Sequence, residues 1–190
     1  MNVVETAIPG VLIFEPRVFG DARGFFVETY RESIYKEAGI TAPFVQDNQS
    51  RSGRGVLRGL HYQLVQPQGK LVRVSRGEVF DVAVDVRRGS PTFGRWVGCL
   101  LDDVTHRQFY VPPGFAHGFL VLSEVADFVY KCTDYYHPES ERGIAWDDLG
   151  LAIDWPDAGA PYLLSGRDRA HPTLGQQSAE NLPHFVEGGA

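Results

Sequence analysis

Short apolar runs with alternating polar positions dominate the middle of the chain. In residues 79–86, for example, Phe80, Val82, Val84 and Val86 share one face of an extended strand. Turn-forming stretches rich in Gly and Pro separate these runs. The pattern predicts strands at residues 11–14, 25–30, 71–75, 79–86, 95–101, 107–111, 118–122 and 127–133. Many short strands at this spacing indicate an all-β sandwich or barrel.

Two parts of the chain depart from the strand pattern. Residues 31–38 carry polar and apolar side chains at helical spacing and predict one short helix near the N-terminus. From about residue 153 the chain is rich in Pro, Gly and Asp, and we expect this tail to wrap the barrel rather than form a second core. No repeat or linker is visible, so residues 1–190 are predicted to form a single domain.

Composition narrows the classes of function. The chain has 190 residues, of which 43% are hydrophobic and 22% charged, as in a globular protein. Its net charge of −6 argues against nonspecific nucleic-acid binding. No apolar run approaches the roughly 18 residues that a membrane span needs, and residues 1–5 lack the pattern of a secretion signal. Two cysteines make no disulfide framework, so a cytoplasmic protein is expected.

Candidate chemistry lies in two segments. One is Gly55-Val-Leu-Arg58-Gly-Leu-His61-Tyr-Gln63 followed by Gly69-Lys70, and the other is Pro112-Pro-Gly-Phe-Ala-His117. They resemble the two signature segments of the cupin barrel. Metal-binding cupins have a second His where this chain has Gln63, and a Glu that is missing between Gln63 and Gly77, so no metal site is expected. What remains is a basic, proton-handling set of Arg58, His61, Lys70 and His117.

Longer motifs follow one another in order along the chain. They are Arg58-Gly-Leu-His61-Tyr-Gln63, Gly69-Lys70, Gly89-Ser-Pro-Thr-Phe-Gly94, Val111-Pro-Pro-Gly-Phe-Ala-His117, Tyr130-Lys-Cys-Thr-Asp-Tyr-Tyr136 and Leu164-Ser-Gly-Arg-Asp168. This order resembles the dTDP-4-dehydrorhamnose 3,5-epimerase family, over a stretch from about residue 10 to about residue 172.

The resemblance implies a cupin-type antiparallel β-barrel (a jelly roll) that forms a homodimer and acts on a dTDP-sugar without a cofactor. The implied reaction inverts C3 and C5 of dTDP-4-dehydro-6-deoxy-D-glucose. By position, the implied catalytic residues are His61 as proton acceptor, Tyr130 as proton donor, Asp168 as the acid paired with the histidine, and Lys70 as the cation near the 4-keto oxygen. The implied substrate-binding residues are Arg23, Glu28, Gln46, Asn48, Arg58, His117, Tyr136, Glu141 and Arg167.

Three other functions compete with this interpretation. A 3- or 5-monoepimerase of a related sugar would share the acid–base residues. A cupin metal enzyme conflicts with Gln63 and the missing Glu. A noncatalytic sugar-binding barrel would not need His61, Lys70, Tyr130 and Asp168 together.

One feature of the first motif conflicts with a regular strand. In a regular strand over residues 57–63, Arg58 and His61 would point to opposite faces, although both are expected to reach one ligand. A bulge or bend at Gly55 or Gly59 would bring them to the same side.

Overall fold

A computed structural model describes residues 1–186, so the last four residues of the predicted 1–190 domain lie outside it. Within those residues the chain forms one α-helix, α1 (Glu32–Glu37), and thirteen strands. The strands are β1 (Asn2–Glu5), β2 (Leu12–Glu15), β3 (Val18–Asp21), β4 (Gly24–Val27), β5 (Gln46–Gly53), β6 (Leu57–Gln63), β7 (Lys70–Arg76), β8 (Glu78–Asp85), β9 (Trp96–Asp102), β10 (Gln108–Val111), β11 (Phe115–Val121), β12 (Val125–Cys132) and β13 (Glu141–Gly143).

Two antiparallel sheets face each other. The larger has the strand order β1-β2-β10-β7-β12-β5, and the smaller has the order β13-β6-β11-β8-β9. Sequence neighbours such as β10 and β11 belong to different sheets, as in a jelly roll. The all-β barrel predicted from the strand pattern is therefore confirmed.

The main core fills the space between the sheets. Val72, Val74, Phe109, Phe119 and Phe128 are among its fully buried side chains. Since β7, β11 and β12 each contribute side chains to this core, residues at alternating positions on these strands point to the same enclosed volume. Strand β6 pairs with β11 and lines a cavity beside this core with Arg58 and His61.

The helix and the tail cover the outer faces. Helix α1 packs Tyr35 against Phe14 on the outside of the larger sheet, and the tail packs Trp155 and Leu174 against the smaller sheet. No helix among the described residues is long and apolar enough to cross a membrane.

The outline of the strands from residue 71 to residue 133 agrees with the sequence pattern, but the rest of the chain differs from it. The short strands β1, β3 and β13 were not predicted. The predicted strand at 25–30 ends at Val27 and pairs with β3 in a separate two-stranded hairpin. Strand β5, which pairs with β12 along its whole length, was not predicted. Its residues are mostly polar on both faces, so it lacks the apolar alternation that marks the other strands.

Candidate active site

Two adjoining cavities of about 300 Å³ and 270 Å³ open between the sheets. His61, Lys70 and Tyr130 line both of them. His61 comes from the smaller sheet, whereas Lys70 and Tyr130 come from neighbouring strands of the larger sheet. Together the two cavities make one cleft with titratable groups on both walls.

His61 forms a short hydrogen bond with Asp168. Its Nε2 atom lies 2.6 Å from Asp168 Oδ1. Asp168 is 5% exposed and lies at the start of a 3₁₀ turn in the tail, which thereby closes one side of the cleft. Burial alone would raise the pKa of the Asp168 carboxyl, but the hydrogen bond from His61 holds that pKa below its usual range. The pair is therefore a carboxylate that orients an imidazole.

A β-bulge at Gly59 brings Arg58 and His61 to the same cleft. His117 on β11 pairs with His61 and Phe119 pairs with Arg58, so β6 has one residue more than β11 in this interval. Gly59 has φ +121°, and a Cβ atom there would lie 2.6 Å from Gly118 Cα. Only glycine fits at this position. The bulge expected at Gly55 or Gly59 is confirmed at Gly59, and both Arg58 and His61 line the cleft.

Lys70 and Tyr130 have pKa values shifted in opposite directions. Burial lowers the pKa of the Lys70 ammonium, although Cys132 and the carboxylates of Glu141 and Asp81 partly offset this effect. Burial, with the negative charge that Cys132 and Glu141 would add, raises the pKa of the Tyr130 hydroxyl. Tyr130 consequently holds its proton across the neutral range, as a proton donor must.

His117 makes a second buried contact between an imidazole and a carboxylate. Its Nε2 atom lies 2.8 Å and 3.0 Å from the two carboxylate oxygens of Asp81, which is fully buried on β8. Burial raises the pKa of Asp81, and His117 partly offsets this. Asp81 is a residue of the site that the sequence analysis did not predict. The one feature that could have indicated it is a charged residue on an apolar strand, on the face opposite Phe80 and Val82.

Polar and aromatic side chains form the mouth of the cleft. Tyr136 donates to Glu141 Oε2 at 2.9 Å, and Arg167 pairs with the same oxygen at 2.5 Å. Gln46 donates to Asn48 at 3.1 Å and accepts from the Tyr136 backbone N–H at 3.0 Å. Because Tyr136 is half exposed, its ring is available for stacking on a planar group. The cleft thus has a polar, aromatic entrance and an interior lined by titratable groups.

Comparison with known proteins identifies the relatives of this chain. A family model described as dTDP-4-dehydrorhamnose 3,5-epimerase matches residues 5–176. The dTDP-4-dehydrorhamnose 3,5-epimerase of Pseudomonas aeruginosa is 62% identical over 170 residues, which cover 89% of this chain and 93% of the relative. The chain belongs to the dTDP-4-dehydrorhamnose 3,5-epimerase family.

Solved structures of other epimerases have the same fold. That of the dTDP-6-deoxy-D-glucose-3,5-epimerase of Legionella pneumophila, in complex with dTDP-4-keto-L-rhamnose, superposes with a TM-score of 0.95. It is 58% identical and the match covers 97% of this chain and 98% of that one. A 3'-monoepimerase from Streptomyces bikiniensis, in complex with dTDP-quinovose, has a TM-score of 0.87 and 38% identity, covering 94% and 91% of the two chains.

Gln63, which stands where metal-binding cupins have a second histidine, contacts the backbone of two loops. Its side-chain amide donates to the carbonyls of Gln66 and Tyr135 at 2.6 Å and 3.0 Å, and its oxygen accepts from the His137 N–H at 2.9 Å. The amide therefore anchors loops. An amide with both ends engaged is a poor metal ligand.

Two of the predicted substrate-binding residues lie away from the cleft. The Arg23 side chain is 90% exposed at the tip of the β3–β4 hairpin and pairs with Asp21. Glu28 follows the hairpin and pairs with Arg31 at 2.8 Å. Neither residue lines the two cavities. The described protomer brings together the other predicted residues but not these two.

Proposed function

We propose that this protein inverts C3 and C5 of dTDP-4-dehydro-6-deoxy-D-glucose to give dTDP-4-dehydro-β-L-rhamnose, with no cofactor and no metal. The observation that carries the proposal is the placement of His61 and Tyr130 on opposing sheets that enclose one cleft. Inversion requires that a proton leave one face of the sugar and another arrive on the opposite face. A base and an acid on facing walls meet this requirement.

His61 is the base. A proton on the carbon next to a ketone is weakly acidic, and neutral imidazole can take it. Asp168, held 2.6 Å from Nε2, fixes the tautomer that leaves Nδ1 free to accept, and then stabilises the imidazolium. Removal of the proton leaves an enolate at the 4-keto oxygen. Lys70 supplies a positive charge for that oxygen in a largely dry pocket, where such a charge is most effective.

Tyr130 is the acid. Its raised pKa keeps the hydroxyl protonated until the enolate carbon can accept the proton from the opposite wall. The same residues act first at one carbon and then at the other. Each round consumes one proton from Tyr130 and places one on His61, and exchange with water restores both groups.

The nucleotide occupies the polar, aromatic mouth. Arg58 and Arg167 present guanidinium groups to the cleft, and such groups bind pyrophosphate oxygens well. Tyr136 offers an exposed ring edge and face on which thymine can stack. Arg58, which contacts Ser52 and no carboxylate of residues 1–186, supplies positive charge to the cleft of a protein of net charge −6, which favours capture of an anionic substrate.

A single epimerisation is the second candidate. The observation that favours it is the similarity to the S. bikiniensis 3'-monoepimerase, which has the same fold at 38% identity. A monoepimerase needs the same base and acid, so the two activities differ in how many carbons react.

Solvent labelling tests the proposed function. The purified protein is incubated with dTDP-4-dehydro-6-deoxy-D-glucose in deuterated water, and the product is analysed by NMR and mass spectrometry. We expect deuterium at both C3 and C5 and the L-rhamno configuration. Label and inversion at one carbon alone would favour the monoepimerase, and a protein that produced neither would contradict both functions.

We propose in addition that the protein is a homodimer in which the β3–β4 hairpin of each protomer completes the partner's cleft. Phe25 and Phe26 on this hairpin are 60% and 69% exposed, and Phe19 is 50% exposed. Apolar side chains exposed together on a small isolated sheet favour burial against another chain. Such an interface would carry Arg23 to a cleft that it does not reach in its own protomer.

Mixed dimers test this arrangement. Arg23→Ala and His61→Ala protomers, each with a different affinity tag, are co-expressed and the mixed dimer is isolated. In one of its two clefts, an intact His61 meets an intact Arg23 from the other protomer. We therefore expect kcat/KM of the mixed dimer at low substrate to exceed the average of the two parent variants. Light scattering that showed a monomer at micromolar concentration, or a mixed dimer no better than that average, would contradict the proposal.

We place the reaction in the cytoplasm. Cys99 and Cys132 are free and buried, and a pair of unlinked thiols is typical of a reducing compartment.

A further inference from the structure

A third side chain lies beside the His61–Asp168 pair. The Nε2 atom of His171 is 3.7 Å from Asp168 Oδ1, which is too far for a hydrogen bond. His61 Nε2, Asp168 Oδ1 and His171 Nε2 all lie within 4.8 Å of one another. Among the described residues, this is the one group of three such atoms close enough to share a metal ion.

The His171 nitrogen is buried without a hydrogen-bond partner. The side chain is 11% exposed, and its Nε2 atom has no partner within residues 1–186. A buried polar atom of this kind is costly to leave unpaired, and its presence calls for an explanation.

Gly143 makes the position of His171 possible. It lies directly opposite His61 in the β6–β13 pair. A Cβ atom on residue 143 would lie 2.3 Å from His171 Nε2, so any side chain there would push the ring away. The absence of a side chain thus lets the imidazole lie against the backbone with its nitrogen next to Asp168. The two imidazole rings meet edge to face, with centroids 5.6 Å apart.

We propose that His61, Asp168 and His171 form an inhibitory site for a zinc-like divalent cation. Two imidazoles and one carboxylate are a donor set that zinc prefers. Ligand bonds of about 2.0–2.2 Å would place tetrahedral ligand atoms roughly 3.3–3.6 Å apart. The separations of His61 and His171 from Asp168, 2.6 Å and 3.7 Å, bracket this range. The ligand atoms of the two histidines lie within 4.8 Å of each other, so side-chain rotation would have to bring the two rings closer on metal binding. The cation replaces the proton between His61 and Asp168, which leaves to water.

Inhibition follows from the imidazole tautomer and rests on the proposed function. A neutral imidazole that gives its Nε2 lone pair to a metal carries its proton on Nδ1. His61 would then have no lone pair for the substrate proton, and Asp168 would be neutralised by the metal. The site shares His61 with the cupin ligand motif, but its other two donors are Asp168 and His171 rather than Gln63. The metal-free enzyme is active, and the bound cation switches it off.

Metal binding is measured on the complete protein without substrate. The chelator-treated wild type is titrated with Zn²⁺ in competition with a chromophoric chelator, and Co²⁺ absorption reports the coordination geometry. His171→Phe removes both ring nitrogens but keeps a flat ring over Gly143. We expect its Zn²⁺ affinity to be at least about tenfold lower, since even residues that only support metal ligands typically contribute that much. His184→Asn, which changes an exposed histidine, should retain the wild-type affinity.

Two further readouts separate this inference from the proposed function. In the wild type, the ¹⁵N NMR signals of Nε2 in both His61 and His171 should shift when Zn²⁺ is added, which tests the site even if His171→Phe folds poorly. Activity after chelation should be full and should fall on addition of Zn²⁺. Equal affinities of wild type and His171→Phe, or a signal change confined to His61, would overturn the three-ligand site. Binding by a protein without epimerase activity would instead contradict the proposed function alone.

Discussion

Tyr130→Phe is expected to lose epimerised product while the substrate still exchanges hydrogen with solvent. The substitution removes the hydroxyl but keeps the ring, which packs against Phe128 with centroids 5.9 Å apart. His61 and Asp168 remain in place on the other wall, so the enolate still forms. His61 can return a proton only to the face from which it took one. Inverted product should therefore fall by about 10²-fold or more, a typical general-acid contribution.

His61→Ala provides the contrasting result. Without the base no enolate forms, so deuterium exchange and epimerisation should both be abolished. Asp168→Asn should give an intermediate result, since it leaves His61 in place but provides a weaker acceptor for its N–H and no charge to stabilise the imidazolium. NMR of the sugar protons in deuterated water measures exchange and inversion in the same sample.

The matched control is Tyr110→Phe. Tyr110 is also a buried tyrosine on the larger sheet, but it packs in the outer cluster with Leu12 and Tyr35. Its loss should leave the ratio of exchange to inversion unchanged. Equal losses of exchange and inversion in Tyr130→Phe would show that this hydroxyl is not a separate acid. Its role would then be confined to lining the cleft.

The strands that the sequence predicted well carry apolar residues on at least one face. The predicted bounds of β7, β8 and β12 are correct to within two residues. Strands β7 and β12 have more polar residues on their other face, whereas β8 is buried on both faces, between the main core and the tail. Strand β5 lacks this signal, because Gln46, Asn48 and Ser50 face a wet cleft on one side and polar residues face solvent on the other. Because the residues of β5 that line the cleft are polar, this strand lacks the alternation of apolar and polar residues from which strands are predicted.

The candidate site was predicted as a set of residues but not as a set of contacts. The His61–Asp168 pair joins residues 107 positions apart, and Asp81 meets His117 across 36 positions. No local pattern specifies such contacts, since strand pairing and the path of the tail bring them about. The family resemblance supplied Asp168, whereas Asp81 lay on the less conspicuous side of an apolar strand. The bulge at Gly59 was predictable because two required side chains conflicted with a regular strand.

Arg23 is a residue whose role cannot be predicted from the fold of a single chain. Its sequence position matches a substrate-binding residue of the family, yet its side chain projects from an exposed hairpin. The sequence of one chain does not show whether a residue lines the cleft of that chain or the cleft of another copy. The proposed homodimer would reconcile the family role of Arg23 with its exposed position.

Lys70→Met is expected to lower kcat by about 10²- to 10³-fold, the usual effect of removing a group that stabilises a developing oxyanion. Methionine keeps much of the apolar stem and removes the charge. Arg58→Gln should instead raise KM with a smaller change in kcat, since it contacts charge that is present throughout the reaction. Lys36→Met, on an exposed face of α1, is the control and should behave as wild type. Steady-state kinetics that showed the same pattern for Lys70 and Arg58 would remove the distinction between them.

The pH dependence of kcat is a second test of the role of Lys70. Burial lowers the pKa of Lys70 and raises that of Tyr130, so Lys70 loses its proton at a lower pH than an ordinary lysine and Tyr130 at a higher pH than an ordinary tyrosine. Below the pKa of Lys70 in the folded protein the ammonium is charged, and kcat should be at its maximum. As pH rises through that pKa, which lies below that of an ordinary lysine, kcat should fall. The residual activity of Lys70→Met should lack this alkaline limb, because no ammonium remains to titrate. If the limb persisted unchanged in that variant, another group would be responsible for it, and the ammonium would not be the charge that stabilises the enolate.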